Sequence, residues 1–294
     1  MFRQTAILFA SFMILLPATQ SSRAQGDTGK VEVVSLLGRK LYAMPDDAAV
    51  RAAQAKLAAS PGDAKLYLGL SLAEAGRRQY KEAIATDTAG LGKFPEDADL
   101  LLERGHRELG VREFAAAERD LKRAVSIAPG NLDVRYHLGL AFYFQGRFGE
   151  AAGSFEKARD LAKSDDSLID CTNWLYVSLR RAGKKDEAAV ALTRITPAVH
   201  NTEAHLLFYL RLLRFYQGQM MEAQILPAKP AAGDTEAELS FDTINYGVGN
   251  WHLYNGDEAL ANTYFEKVVS GEAWNSWGFV GSEVELARSG ATRR

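Results

Sequence analysis

Between residues 62 and 270, the apolar, small and polar positions of this 294-residue chain recur with a period of 34. Tyr80, Phe114 and Phe148 share one phase, and Ala83, Ala117 and Ala151 share another. Gly90, Ala124 and Ala158 form a third column; Ser71, Gly105 and Gly139 form a fourth. Pro95 and Pro129 close their units, with Lys163 in the matching place of the third. A fixed period of this length marks a stacked architecture. Small residues at one phase let two helix backbones approach, and large apolar residues fill the gaps beside them. Glycine and polar residues between the halves of a unit allow a turn. Proline ends the second half because it cannot continue the helical hydrogen-bond ladder. The pattern therefore predicts antiparallel helix pairs. One pair cannot bury both its faces, whereas several stacked in series can.

Residues 132–165 give the clearest unit, reading Leu138-Gly139, Phe142, Gly146, Phe148, Ala151, Phe155 and Ala158. After an insertion around Asp165 and Asp166, a fourth unit follows with Leu175, Leu179, Gly183, Ala188, Leu192 and Ile195. A fifth reads Leu207, Leu210, Gly218 and Ala223, and a sixth Gly249, Gly256, Ala261, Phe265 and Val268. In the order of its small and large positions the chain resembles the tetratricopeptide repeat family. That resemblance implies an all-α fold, a right-handed superhelical solenoid of antiparallel helix pairs, with about six repeats and a capping helix at each end. It implies protein interaction as the general role. Some units depart from the pattern. The first can also be phased on Gly69 and Gly76, Arg104 stands where the second usually has Leu, and Pro227 truncates the second helix of the fifth. A kink or widened step is expected between units five and six.

The ends carry their own signals. Arg3 precedes an apolar run from Ala6 to Leu16 that is about 16 Å long as a helix, against about 30 Å of bilayer hydrocarbon. Pro17 breaks the run, and Ser22-Arg23-Ala24 offers small residues for cleavage after Ala24, with a cut after Ala18 as the alternative. Residues 1–24 thus read as an export signal, which sends the chain to the periplasm or outside the cell. Residues 25–61 then form an N-terminal arm and capping helix, with Val31 to Leu37 either a short strand or an extended arm. The helix begins at Pro45-Asp46-Asp47, where an aspartate can satisfy free backbone N–H groups, and stops near Ser60-Pro61-Gly62. The solenoid occupies 62–270 and is irregular at 227–241; residues 271–294 form a last helix and tail carrying Trp274, Trp277 and Phe279.

Composition narrows the functional classes. The chain carries 35 Lys plus Arg against 37 Asp plus Glu. Without Arg3 and Arg23 the basic residues fall to 33, for a net charge of −4. No basic stripe favours nucleic acid or anionic lipid, and no later apolar run is long enough to span a bilayer. The single Cys171 reads as a small core residue, with a linked dimer or a reactive thiol as the alternatives. The chain has no His-Glu-x-x-His, no Gly-x-Ser-x-Gly and no complete phosphate or dinucleotide loop. His200 and His205, five apart, do not stack on one helical face. No metal or cofactor is expected, and catalysis only from a site assembled out of residues that no short motif reports, which is the alternative to a binding role.

By the resemblance, the first helix of each pair lines a concave surface. The phase places His106 there from unit two, Tyr136 and Tyr143 from unit three, and Asn173, Arg180 and Arg181 from unit four. Unit five adds His205 and Phe208, and unit six Tyr246, Asn250 and Tyr254. Aromatic rings with interspersed Arg suit a protein or peptide ligand, and the arginine pair suits a carboxylate. The family's Lys-Asn carboxylate clamp is absent. A second reading is self-association through the last helix. If its rings are exposed that helix is adhesive; if they cover unit six it is a cap.

Overall fold

The computed structural model describes residues 29–203, 206–231 and 233–290; the expected export signal at 1–24 and His205 lie outside them. A hairpin of β1 (Val31–Val34) and β2 (Lys40–Tyr42) leads into α1 (Ala48–Ala59). Six helix pairs follow. They are α2 (Ala64–Gly76) with α3 (Tyr80–Lys93), α4 (Ala98–Gly110) with α5 (Phe114–Ile127), and α6 (Leu132–Phe144) with α7 (Phe148–Asp160). Next come α8 (Asp165–Arg181) with α9 (Lys185–Leu192), α10 (Leu207–Tyr216) with α11 (Glu222–Ile225), and α12 (Thr235–Tyr254) with α13 (Glu258–Val269). A last helix, α14 (Trp277–Ser289), ends the described chain. Each helix packs on the one before it through the first four pairs, which is the expected solenoid.

Two further columns at the same period set the helix boundaries. Asp63, Asp97 and Asn131 each accept N–H bonds from the first turn of α2, α4 and α6, so each of these three Pro-containing turns hands over to a capped helix. Between the helices of a pair the chain passes through a left-handed residue. Gly146, Gly183, Gly218 and Gly256 serve units three to six, but Arg78 (φ 56°) and Arg112 (φ 70°) serve units one and two. A side chain costs roughly 1–2 kcal/mol in that conformation, which glycine avoids.

The small-residue column works by close approach. A Cβ on Gly105 would lie 2.8 Å from Leu121, one on Gly139 2.7 Å from the Phe155 ring, and one on Gly249 2.6 Å from Phe265. In each pair the first helix presents the glycine and the second presents the large residue. Unit one replaces this contact with a hydrogen bond, Ser71 Oγ donating to Asp87 at 2.8 Å. Burial pushes that aspartate up to about 7. Cys171 is buried in the core, and burial likewise raises its thiol.

The arm before α1 is the hairpin, bulged between Val31 and Val33. The bulge turns the Glu32 carboxylate onto the Lys81 N–H in the first turn of α3, whose own cap residue, Gln79, supplies no side-chain bond. At unit five the second helix shrinks to the four residues of α11, which adds Ile225 to a cluster with Phe208, Leu212, Ile244, Val248 and Tyr264. At this step, where a kink or widening is expected, the packing order changes. Helix α10 packs on both α8 and α12, and α12 reaches α8 directly.

Close approach makes a paired prediction. Gly139→Val should lower unfolding stability by about 1–3 kcal/mol through overpacking against Phe155. Gly153→Ala, in α7 where a Cβ meets nothing within 4 Å, should raise it by about 0.5–1 kcal/mol. Urea titrations of both variants check this, and a neutral Gly139→Val would contradict the close contact.

Candidate protein-binding groove

Helix α14 packs along α12 and α13 and also meets α4, α6 and α8 through side chains, so it fills a channel lined by the first helices. From Gly278 to Leu286 every residue of α14 is buried. A helix enclosed on all sides is normally apolar all round. Phe279, Val280, Val284 and Leu286 meet that requirement, and burying each contributes roughly 1.5–3 kcal/mol. Glu283 and Glu285 do not, and each finds an arginine.

Glu283 is fully buried and pairs with Arg112, itself 4% exposed. Arg112 Nε donates to Glu283 Oε2 at 2.7 Å, and its Nη2 donates to the Trp274 carbonyl at 3.1 Å. The other Glu283 oxygen accepts the Leu36 N–H of the hairpin. Burial draws the Arg112 guanidinium below its ordinary value, and the Glu283 charge opposes that. Removing one member of such a pair costs on the order of 3–5 kcal/mol because the other charge is left unpaired.

Glu285 meets the sequence-derived site. Arg181 Nη2 donates to Glu285 Oε2 at 2.9 Å, and Arg181 Nη1 donates to Asn250 Oδ1 at 3.1 Å. The same Asn250 oxygen accepts from the Tyr143 hydroxyl at 3.1 Å, and the Tyr246 hydroxyl donates to Tyr143 at 3.2 Å. Burial raises both phenols, Tyr143 to about 12. Arg288, three residues beyond Glu285, donates to it at 2.8 Å and to the Phe144 carbonyl at 2.8 Å, where the C-terminal end of α6 favours a cation.

Four of the expected groove residues, Tyr143, Arg181, Tyr246 and Asn250, therefore form one hydrogen-bonded chain, which Arg181 ties to the Glu285 carboxylate. His106 joins the site at its other end, with its ring 4.5 Å from His137 and 5.0 Å from Trp277. Burial, Arg107 and His137 hold His106 well below its ordinary value. Other expected residues are placed differently. Tyr136 is taken up by the contact between α6 and α8, its hydroxyl donating to Asp170 at 3.0 Å and its ring edge-on to Phe155. Phe208 is core between α10 and α12, because the shortened α11 leaves that space to fill. Asn173 is buried beside Tyr246 and Gly278 around a cavity of about 10 Å³. Arg180 turns outward to Asn255 (2.9 Å) and the Tyr254 ring (4.2 Å). Tyr136 and Phe208 are thus held between neighbouring units, Asn173 is interior beside α14, and Arg180 points away from it.

Two of the three last-helix rings are covered as well, and Trp277 is half-buried. Trp274 is 2% exposed and Phe279 1%. Trp274 packs on Tyr80 at 5.2 Å and donates to the Tyr42 carbonyl at 3.3 Å. The last helix is thus a cap, and more than a cap of unit six, because it reaches the first units. Arg39 donates to the carbonyls of Val269 (2.8 Å) and Gly271 (2.6 Å), and Arg78 to that of Glu272 (2.9 Å). Sequence reading missed Arg112, Glu283, Glu285 and Arg288. The one available signal was the period itself, which sets Arg78 and Arg112 on the phase of Gly146.

No protein-family model matches the chain. A TPR repeat-containing protein of Pseudomonas aeruginosa is 28% identical over 164 residues, which is 55% of this chain. The chain is similar to tetratricopeptide-repeat proteins. It spans only 27% of the length of that curated relative. Among solved structures, MamA aligns with a TM-score of 0.45 and 22% identity over 49% of this chain and 83% of its own. YrrB, described as a TPR protein with an unusual peptide-binding site, gives 0.46 and 14% over 76% and 93%. PilF of Pseudomonas aeruginosa gives 0.46 and 14% over 70% and 90%. Among the described residues no helix is long and apolar enough to cross a membrane.

The seating of α14 should depend on pH through Asp242. Its carboxylate accepts the Ser276 hydroxyl at 2.6 Å, while Ser276 caps α14 by accepting the Phe279 N–H at 3.0 Å. Burial pushes Asp242 up to about 7, with Glu238 reinforcing the shift and Ser276 and Arg78 opposing it. The folded chain thus keeps a proton that the unfolded chain loses near the ordinary aspartate value. The resulting stability is full below that value and is lost as pH rises through about 7. Asp242→Asn cannot ionise. Corrected amide exchange of α14 should accelerate across that window in the wild type and stay flat in the variant; parallel profiles would exonerate Asp242.

Proposed function

We propose that this chain is an exported protein-interaction scaffold, not a catalyst, whose channel receives a helical segment of a protein partner. The observation that carries this reading is that α14 already occupies the channel as a ligand would. Its Glu285 carboxylate is gripped by Arg181, which Asn250 holds in place while accepting from Tyr143, and the repeat phase puts all three on the inner face. The similarity to tetratricopeptide-repeat proteins supports an interaction role. The basic and apolar leader with Ser22-Arg23-Ala24 supports export.

A competition experiment tests the channel. The full chain serves as bait in an envelope extract, with and without excess synthetic peptide of the α14 sequence, beside an Arg181→Glu bait. A partner retained by the wild type should be lost from Arg181→Glu and released by the peptide. A partner indifferent to both would place the interface outside the channel. Export predicts that the intact mass of the protein from the envelope fraction corresponds to a chain beginning at Gln25. A cytosolic protein that retains residues 1–24 would refute it.

A further inference from the structure

We propose that the channel selects its helical partner by a pattern that α14 displays: small-x-x-small-x-acid-x-acid, set by Gly278, Gly281, Glu283 and Glu285. This rests on the reading that the channel binds a protein helix, and it names the chemistry of that helix. The partner is an apolar segment carrying two small residues and two carboxylates at this spacing.

Each position is specified by a different wall. A Cβ on Gly278 would lie 2.6 Å from the backbone carbonyl oxygen of Asp242, and one on Gly281 would collide with the Tyr246 ring. The first site is closed by main chain, which cannot rotate away. The second is closed by a ring that is 5% exposed and fixed through its hydroxyl to Tyr143. The third position needs an acceptor for two donors on separate elements, the Arg112 guanidinium and the Leu36 N–H. The fourth needs an acceptor for Arg181.

The arginines make the pattern selective rather than merely adhesive. A buried ion pair adds little net stability over an apolar contact of the same shape, yet an arginine left without its carboxylate is strongly penalised. A helix lacking either acid is rejected for that reason, much as polar sites reject ligands that cannot satisfy them. Arg112 reaches Glu283 from a left-handed turn position (φ 70°), the conformation Arg78 also takes in unit one. Two inward-facing cations on the wall thus complement two acids on α14, and a helix that replaces it must present the same two acids.

The test uses the full chain with its resident helix disabled and the wall unchanged. Gly281→Leu should expel α14. Glu285→Gln, a milder change, provides a second acceptor. Labelled peptides of residues 276–289 are titrated by fluorescence anisotropy in native form and with Gly281→Leu, Glu283→Gln or Glu285→Gln. The native peptide should bind the opened chains and not the closed wild type, and each peptide substitution should weaken binding by roughly tenfold or more. Equal binding by all four peptides would overturn the pattern while leaving a helix-binding channel in place. Failure of the native peptide on acceptors that are folded by circular dichroism would overturn both readings. Loss of fold in both acceptors would make α14 an inseparable core helix and would likewise overturn the proposal.

Discussion

A helix walled on every side leaves its charged side chains no water to reach, and α14 carries two glutamates into that position. Much of the tertiary structure follows from this constraint. Each carboxylate needs a cation, and the walls supply Arg112 and Arg181. Neither arginine could do so from an arbitrary place. Arg181 closes α8, so its side chain leaves the last turn toward the channel. Arg112 occupies the left-handed turn between α4 and α5, which throws its side chain inward at some backbone cost.

The same constraint joins the two ends of the described chain. Arg112 satisfies one Glu283 oxygen, and the other is met by the hairpin through Leu36. The loop between α13 and α14 exposes carbonyls with no helical partner, and Arg39 and Arg78 take them up from the first units. Val33, Leu41, Tyr80, Val268, Trp274 and Phe279 form one apolar cluster from both ends of the sequence. An open solenoid contacts only its neighbours along the stack. This one is closed by its last helix. Asn250 shows how far the polar network is integrated: one buried amide oxygen serves both Tyr143 of unit three and Arg181 of unit four.

The proposed recognition would use the chemistry that closes the fold. Dispersion and apolar burial would suit many helices, but buried carboxylates against fixed arginines suit few. Glycine at two contact points narrows the choice further, because walls made of main chain and a tethered ring do not yield.

Local interactions were legible in the sequence because they repeat. The 34-residue period located the helix pairs, the glycine column and its large partners, since each depends on residues within one unit. The period also put Tyr143, Arg181, Tyr246 and Asn250 on the inner face, and Arg181 does grip a carboxylate. It did not place Tyr136 or Phe208, whose surroundings are set by how neighbouring units close on one another around a shortened α11. Nor did it pair Arg112 with Glu283, which are 171 residues apart. No periodic signal spans that distance, because a solenoid's sequence encodes contacts to the next unit and not the return of its end to its beginning. The sequence by itself determined the repeated hairpins, their caps and their inner face. Only the tertiary structure decided that this face would be filled, because occupancy depends on the accumulated curvature of every unit and on buried charges that must find each other across it.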